Sequence, residues 1–159
     1  EKFLINKNDN VKSVYDKICF TSKKIFSKNI SSWVKCNFKK KKQNLEKVIY
    51  FKKRKPEDGK IDIFKERNLD AHNKIRALAK PYPGAYINYK SKKIFIWNSK
   101  IISNSISKNF NKNKRLFLYK KKLILKLGRK ENSYLQIKKM QVNNSPEFDG
   151  MEFDKYFKI

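Results

Sequence analysis

Apolar residues recur at helical spacing near the start of the chain and alternate with polar residues in its second half. After Asp9-Asn10, an apolar stripe predicts a helix of about four turns, with Asp9 or Asn10 as its N-cap. Residues 2–5 form a short apolar run that predicts a strand before this helix, and residues 30–34 predict a second short helix or a closing turn. The first 50 residues are therefore predicted to be mainly helical.

Proline and glycine divide the middle of the chain. Lys55-Pro56 and Asp58-Gly59 predict an extended connector with a tight reversal. Leu69 to Ala79 predicts a second helix, which cannot continue past the prolines that follow. The run 81–84, Pro-Tyr-Pro-Gly, predicts a rigid corner, since proline fixes φ and glycine accepts a positive φ.

Period-two alternation marks the second half as β-structure. Residues 85–89 and 93–97 predict a hairpin about a short Lys90-Ser91-Lys92 loop. Further predicted elements are strands at 100–102, 116–119, 123–127 and 134–137, a turn at 128–132, and a short helix at 149–156. Several short strands in sequence favour a small closed or half-closed barrel, so the expected fold class is α+β, with helices first.

The chain is strongly basic, with 41 Lys+Arg against 14 Asp+Glu and a net charge of +27. Such a charge attracts polyanions without sequence preference. Arginine, however, occurs only at Arg54, Arg67, Arg76, Arg115 and Arg129. Abundant Lys, Asn and Ile are what AT-rich codons specify, so we interpret most of the charge as genome composition. The alternative is nucleic-acid recognition, for which the planar guanidinium group of arginine is better suited than the ammonium group of lysine. The lysine run 39–42 is expected to be a solvated loop, with a phosphate-binding patch as its alternative.

The chain shows no run approaching about 18 apolar residues and no apolar block after a basic start, so we expect neither a membrane span nor a secretory precursor. Cys19 and Cys36 are too few for a disulfide framework and are expected to be buried, inert thiols. A cytoplasmic protein is expected. The chain begins with Glu1, which indicates a processed or partial product.

Candidate chemistry is sparse. His72 is the single histidine and lies in a predicted helix, where it is expected to be a packed or surface residue. Glu57, Asp58 and Asp62 cluster about the predicted turn, and turn formation alone explains them. The sequence has no glycine-rich phosphate loop and no zinc-ligand spacing, so we assign neither catalytic nor metal-binding residues.

Four segments together form a far more specific signature. Residues 54–62 read Arg-Lys-Pro-Glu-Asp-Gly-Lys-Ile-Asp, residues 72–78 contain Ile-Arg-Ala-Leu, residues 80–86 contain Pro-Tyr-Pro-Gly-Ala, and residues 93–97 end in Ile-Trp. This series resembles the segment that joins the catalytic and C-terminal domains of folate-dependent formyltransferases. Two departures are Ile63, where the family usually has tryptophan, and the absence of a Pro-Gly pair around residues 109–114.

The resemblance implies a domain plan. Residues 1–50 would be the helical tail of a Rossmann-like catalytic domain, since residues 9–18 resemble its last helix. Residues 51–84 would be a linker, helix and corner, and residues 85–159 an OB-like β-barrel C-terminal domain. The family's Asn-His-Asp catalytic set lies in the N-terminal domain, which is missing here. We therefore expect this chain alone to be inactive and to bind no cofactor, with N10-formyltetrahydrofolate the co-substrate of the full-length enzyme.

The resemblance also implies a substrate, a formyl-accepting amine. The turn at 54–58, the pair His72-Asn73 and the corner at 81–85 look most like sugar N-formyltransferases, so a nucleotide-linked amino sugar is expected. Initiator tRNA, the substrate of methionyl-tRNA formyltransferases, is the alternative that the charge would suit. A basic RNA-binding module without chemistry is a second alternative, with Tyr119 and Tyr134 as stacking platforms. Candidates for the substrate cleft or domain junction are Arg54, Pro56, Glu57, Asp58, Arg76, Pro81, Tyr82, Pro83 and Gly84.

Overall fold

The computed structural model describes residues 1–107, 110, 113–128 and 133–157. The chain divides into two compact units, Glu1–Arg54 and Lys55–Ile159. The three-part division at residues 50 and 84 stays a prediction, because it rests on the family's domain plan.

The first unit is built around one long helix. Helix α1 spans Val11–Val34, so residues 30–34 continue it and do not form a separate element. Asn10 is the N-cap: its side chain accepts from the Ser13 N–H at 3.0 Å, and the Ser13 hydroxyl oxygen accepts from the Asn10 N–H at 3.0 Å. These reciprocal bonds satisfy two of the four backbone donors that a helix start leaves open. The strand predicted at residues 2–5 is wrong, since they have no regular structure.

Helix α1 buries none of its residues. Cys19 on this helix and Cys36 just beyond it are exposed and free, and the prediction that they are buried is wrong. A single 3₁₀ turn at Leu45–Lys47 follows the helix. The lysine run at 39–42 is exposed and lacks regular structure, as a solvated loop would be.

The second unit contains helices and short strands in alternation with turns. Its helical elements are a 3₁₀ turn Pro56–Gly59, α2 Asn68–Ala77, α3 Asn104–Ser107, a 3₁₀ turn Gly150–Glu152 and α4 Phe153–Tyr156. Its strands are β1 Ala85–Tyr89, β2 Lys92–Ile101, β3 Leu116–Tyr119, β4 Lys122–Lys126, β5 Tyr134–Val142 and β6 Phe148–Asp149. The predicted hairpin, the later strands and the terminal helix are confirmed. Most of the turn predicted at 128–132 lies outside the described residues.

The strands form one antiparallel sheet in the order β1-β2-β5-β4-β3, with β6 on β5. The α+β class is confirmed, whereas the barrel is not: among the described strands no pairing joins β1 to β3, so the sheet is not closed. The separate strand predicted at 100–102 is also wrong, because β2 runs on to Ile101. It does so through register shifts against β5 between Ile96 and Ser99.

The main core lies on one face of the sheet. Helix α2 contributes Ala71 and Ile75, which pack with the buried strand residues Ile94 and Leu135. Phe153 of α4 closes this core and is fully buried. Burying a side chain of this size contributes about 1.5–3 kcal/mol, so this face supplies much of the unit's stability.

A smaller cluster lies on the other face, where Phe110, Phe117, Ile124 and Tyr134 are buried together. Tyr134 is only 1% exposed, which removes it as a stacking platform. Tyr119 packs against the edge of this cluster and stays half-buried. None of the helices in the described ranges is long and apolar enough to cross a membrane.

Candidate functional site

The turn at Pro56–Gly59 is held by its own backbone and by one carboxylate. Asp58 Oδ2 accepts from the Lys55 N–H at 2.8 Å, and the Asp58 N–H donates to the Lys55 carbonyl at 3.0 Å. Pro56 stands at the first position of the 3₁₀ turn, where its fixed φ is already suitable and no N–H is needed. Pro56 and Asp58 therefore shape the turn, while Glu57 is exposed beside it.

The turn packs directly on the corner that precedes β1. Gly59 is buried, and a Cβ atom on it would lie 2.6 Å from the Gly84 carbonyl oxygen. The Ile61 N–H donates to the Tyr86 carbonyl at 2.8 Å, which ties the next residues to the start of β1. Two segments that are separate in the sequence signature are thus one close-packed element, in which position 59 has no room for a side chain.

The corner itself is defined by Pro81 and Gly84. The Lys80–Pro81 peptide bond is cis, and the Tyr82 N–H donates to the Ala79 carbonyl at 3.1 Å. Gly84 has φ +90°, and a Cβ atom on it would lie 2.8 Å from Cη2 of Trp97. Both the backbone conformation and the space require glycine here, which confirms the predicted positive φ.

Trp97 on β2 is the residue against which the corner rests. Its ring is 5.9 Å from that of Phe95 between centroids, at 13° between planes, and its Nε1–H donates to Gln141 Oε1 at 3.2 Å. The Lys80 ammonium lies 5.2 Å from the Trp97 ring centroid and also pairs with Glu147. Sequence reasoning used Trp97 only as a motif marker. The signal for its role was that it shares a strand face with Phe95.

The remaining acids near the turn are engaged in local structure. Asp62 Oδ1 accepts from the backbone N–H groups of Phe64 at 3.0 Å and Lys65 at 3.2 Å. Glu66 Oε1 accepts from the Asp62 N–H at 3.0 Å and lies 2.5 Å from Nζ of Lys74. The Glu66–Lys74 pair joins the turn to α2 and was not predicted from the sequence. Because these carboxylates cap turns and pair with lysine, they are poor candidates for proton transfer.

The other predicted site residues differ in how much they offer to a ligand. Arg54 is exposed and is the last residue of the first unit. Arg76 on α2 is half-buried, and its Nη2 donates to Asn73 Oδ1 at 2.8 Å. Tyr82 is 49% exposed, and Pro83 beside it is exposed as well. Glu57 and Tyr82 therefore present accessible functional groups in the second unit, and Arg54 presents one at the end of the first.

His72 connects α2 to the sheet. Its Nδ1 lies 2.9 Å from the hydroxyl oxygen of Ser99, which is buried on β2. Burial of the ring, reinforced by the charge of Arg76, holds the pKa of His72 below its ordinary value. The histidine is thus a half-buried packing residue. Over the described residues, no three His, Cys, Asp or Glu side chains gather as a metal site would require.

A family model described as "Formyl transferase, C-terminal domain" matches residues 53–158 of the chain. The bifunctional polymyxin resistance protein ArnA of Wigglesworthia glossinidia brevipalpis is 40% identical over 97 residues, covering 61% of this chain and 15% of that protein. The methionyl-tRNA formyltransferase of Natranaerobius thermophilus is 30% identical over 111 residues, covering 70% of this chain and 34% of that protein. The match thus spans only 15% and 34% of the length of these two relatives.

Solved structures of HypX from Aquifex aeolicus share the fold. One variant superposes with a TM-score of 0.69 at 13% identity, covering 95% of this chain and 27% of that one. The complex of HypX with tetrahydrofolic acid gives a TM-score of 0.58 at 14% identity, covering 79% of this chain and 21% of HypX.

Proposed function

We propose a function from one premise: the chain belongs to the formyltransferase family and carries its C-terminal domain. The chain is the C-terminal portion of an enzyme that transfers a formyl group from N10-formyltetrahydrofolate to the amine of a nucleotide-linked amino sugar. Its role is to complete the substrate cleft beside a separate catalytic domain. We place the reaction in the cytoplasm, where its two free thiols would remain reduced.

The observation that carries this proposal is the packing of the turn at 56–59 on the corner at 81–84. Gly59 meets the Gly84 carbonyl, and Gly84 in turn meets the Trp97 ring. A junction with no room for even a methyl group fixes the backbone from which its exposed neighbours, Glu57 and Tyr82, project. A fixed backbone beside a domain boundary favours a substrate cleft, because orientation supplies part of the catalytic effect.

The first unit supports the presence of a catalytic domain. Tyr15, Ile18 and Phe26 of α1 are 61%, 45% and 54% exposed, and the helix buries no residue. At 3.6 residues per turn these three side chains lie on one face of the helix, and large apolar groups exposed along one face mark an interaction surface. We propose that this surface packs on the domain that carries the catalytic Asn-His-Asp set. That domain would also bind the folate, for which the tetrahydrofolate complex of HypX is a related precedent.

The reaction makes limited demands on this chain. The amine nitrogen attacks the formyl carbon, the bond from that carbon to N10 breaks, and the proton released by the amine is taken up by N10. The groups that move the proton and stabilise the oxyanion belong to the catalytic domain. We propose that Arg54 binds a phosphate of the substrate or a carboxylate across the junction, with Glu57 and Tyr82 lining the cleft. Arg76, bonded to Asn73, would be a positioning residue.

Two observations bear on the acceptor. The relative named for polymyxin resistance is the more similar of the two, at 40% against 30% identity, which favours the amino sugar. The charge of +27 and the methionyl-tRNA formyltransferase relative favour initiator tRNA as the second candidate. We rank the sugar first, because lysine in place of arginine weakens the case for specific RNA recognition.

Exchange of domains tests the proposal. The present chain would replace the matching region of the ArnA relative, and in a second hybrid that of the methionyl-tRNA formyltransferase relative. Each hybrid would be supplied with N10-formyltetrahydrofolate and with either the amino sugar or charged initiator tRNA. We expect formyl transfer to the sugar by the first hybrid and little transfer by the second. We expect none by the present chain alone.

Three results would contradict the proposal. Transfer only to tRNA would establish the second candidate, and transfer by the chain alone would place catalysis within it. If both hybrids fold but neither transfers formyl, and the short chain binds RNA in a salt-sensitive way, the chain is a binding module. Within an active hybrid, Arg54→Ala with unchanged KM and kcat would remove Arg54 from the cleft. Lys53→Ala is the matched control for loss of a neighbouring charge.

A further inference from the structure

A cavity of about 680 Å³ lies over β2, β5 and β4 and extends to the edge of the sheet opposite the corner at 81–84. The corner precedes β1 at one edge, whereas the cavity reaches Tyr119, Lys120 and Lys122 of the β3–β4 hairpin at the other. Its volume is within the range of small-molecule sites, about 300–1,000 Å³. Neither the family resemblance nor the proposed cleft accounts for it.

The strand register builds the floor of this cavity. Gln136 of β5 lies directly between Lys100 of β2 and Ile124 of β4 in the sheet. Earlier in β2, the buried residues Ile94 and Ile96 occupy even positions, so simple alternation would turn Lys100 into the core. The register shifts between Ile96 and Ser99 reverse the alternation, and Lys100 lies on the cavity face. Bulges commonly redirect a side chain in this way at functional sites.

The cations of the cavity come from three separate elements. Lys100 belongs to β2, Lys120 to the β3–β4 turn and Lys122 to β4, and all three are exposed. No carboxylate is among the described residues that line the cavity. The described salt bridges do not involve these three lysines, so no acid among the described residues neutralises their charge. Converging lysines without a counter-charge favour a ligand with more than one negative charge.

The rest of the lining is apolar and aromatic, with hydroxyl groups at the rim. Phe110 and Tyr119 meet edge to face with ring centroids 4.8 Å apart, and Ile106 is 52% exposed beside them. Ser103 and Ser105 supply hydroxyl groups. An apolar wall with a few polar groups suits a planar organic body better than a bare inorganic ion.

We propose that this cavity binds a small phosphorylated compound with an aromatic body, of the nucleotide class. The phosphates lie among the three lysines, and the aromatic ring lies against Tyr119 and Ile106. Gln136 on the floor bonds the ligand between these two regions. The site is independent of the formyl-acceptor cleft, so its existence does not depend on the proposed function.

Binding is tested by isothermal titration of the chain at about 150 mM salt, a concentration that screens exposed charges. Three probes are used. ADP carries both parts of the proposed ligand, adenosine carries the aromatic part alone, and pyrophosphate carries the charged part alone. We expect one ADP to bind per chain, at least about tenfold more tightly than adenosine or pyrophosphate. Each of these smaller probes lacks one set of contacts, and the loss of those contacts weakens binding by about that factor.

Two variants and a control locate the site. Gln136→Glu has nearly the same shape as the native residue and places a negative charge on the floor, so ADP affinity should fall at least about tenfold. Lys122→Gln should also weaken ADP binding. Lys138→Gln removes the same charge from an exposed position on β5 that does not line the cavity, and should leave binding unchanged.

Four results would overturn the proposal. Pyrophosphate binding as tightly as ADP, or Lys138→Gln weakening ADP binding as much as Lys122→Gln does, would show general attraction to a basic protein. A Gln136→Glu variant that keeps its near-ultraviolet circular dichroism and still binds ADP normally would place the ligand elsewhere. No detectable ADP binding by the native chain would exclude the nucleotide class.

Discussion

The two compact units of this chain differ in how far they bury their apolar residues. The first contains a 24-residue helix without a single buried residue, while the second encloses a continuous core between α2 and the sheet. Helix α1 is specified by a local signal, the reciprocal bonds of Asn10 and Ser13. Most helical stability in proteins comes from tertiary packing, so α1 has the form of a helix made for a partner surface.

The largest contrast is expected from truncating one apolar residue in each unit. Leu135→Ala removes a fully buried side chain and should lower the free energy of unfolding by about 2–5 kcal/mol. Phe20→Ala removes a side chain that is 71% exposed, and should change it by less than about 0.5 kcal/mol. Urea titration followed by Trp97 fluorescence in a Trp33→Phe background measures the second unit, and the same titration followed by far-ultraviolet circular dichroism, to which the 24-residue α1 contributes, measures the first. Equal losses would mean that α1 is packed in the isolated chain.

The next effect isolates the junction of the turn and the corner. Gly84→Ala must hold a left-handed backbone, which costs about 1–2 kcal/mol, and must place Cβ 2.8 Å from the Trp97 ring. Overpacking adds about 1–3 kcal/mol, so we expect a loss of about 2–5 kcal/mol in the same titration. Asn88→Ala, at an exposed position on β1, is the control and should be nearly neutral. An unchanged midpoint for Gly84→Ala would disprove the close contact.

The junction also shows what sequence can and cannot predict. Pro81 and Gly84 predicted the corner, because the fixed φ of proline and the conformational freedom of glycine are properties of single residues. The packing of Gly59 on Gly84 joins positions far apart in sequence, and no local pattern contains it. The family signature placed both segments in one element without giving the contact.

The predictions that failed were those that depended on pairing and partners. Strand alternation located β3 and β5, but it could not show that the sheet stays open or that β2 continues through a bulge to Ile101. The predicted burial of Cys19 failed for the same reason, because the apolar stripe of α1 on which it lies is exposed. A periodic stripe shows that a helix has an apolar face, but it does not show which other surface packs against that face.

A pH titration of the second unit should give a smaller effect. The pKa of His72 is lowered from its ordinary 6.5 because the ring is buried, with Arg76 adding to the shift. Between the lowered value and 6.5 the unfolded chain binds more protons, so stability rises with pH there and is lost as pH falls below 6.5. His72→Gln should flatten the stability of the second unit across that window. A slope that persists unchanged would assign the titration to another group.

The smallest effect is expected in the first unit, in a lower pH window. The Lys17 ammonium, 2.5 Å from Asp9 Oδ2, and the Asn6 N–H together lower the pKa of Asp9 from 3.8 to about 2. The stability that ionised Asp9 contributes is fully present above pH 3.8 and is lost as the pH falls through about 2. This pH window lies below that of His72. Hydrogen exchange of the first turn of α1, measured at pH 3 in native chain and Asp9→Asn, should show faster opening in the variant. Salt should reduce the difference, since the pair is only partly buried and stays open to screening. If Asp9→Asn instead shifted the unfolding of the sheet, the two units would be one cooperative body, and the contrast between a self-sufficient core and a helix awaiting a partner would fail.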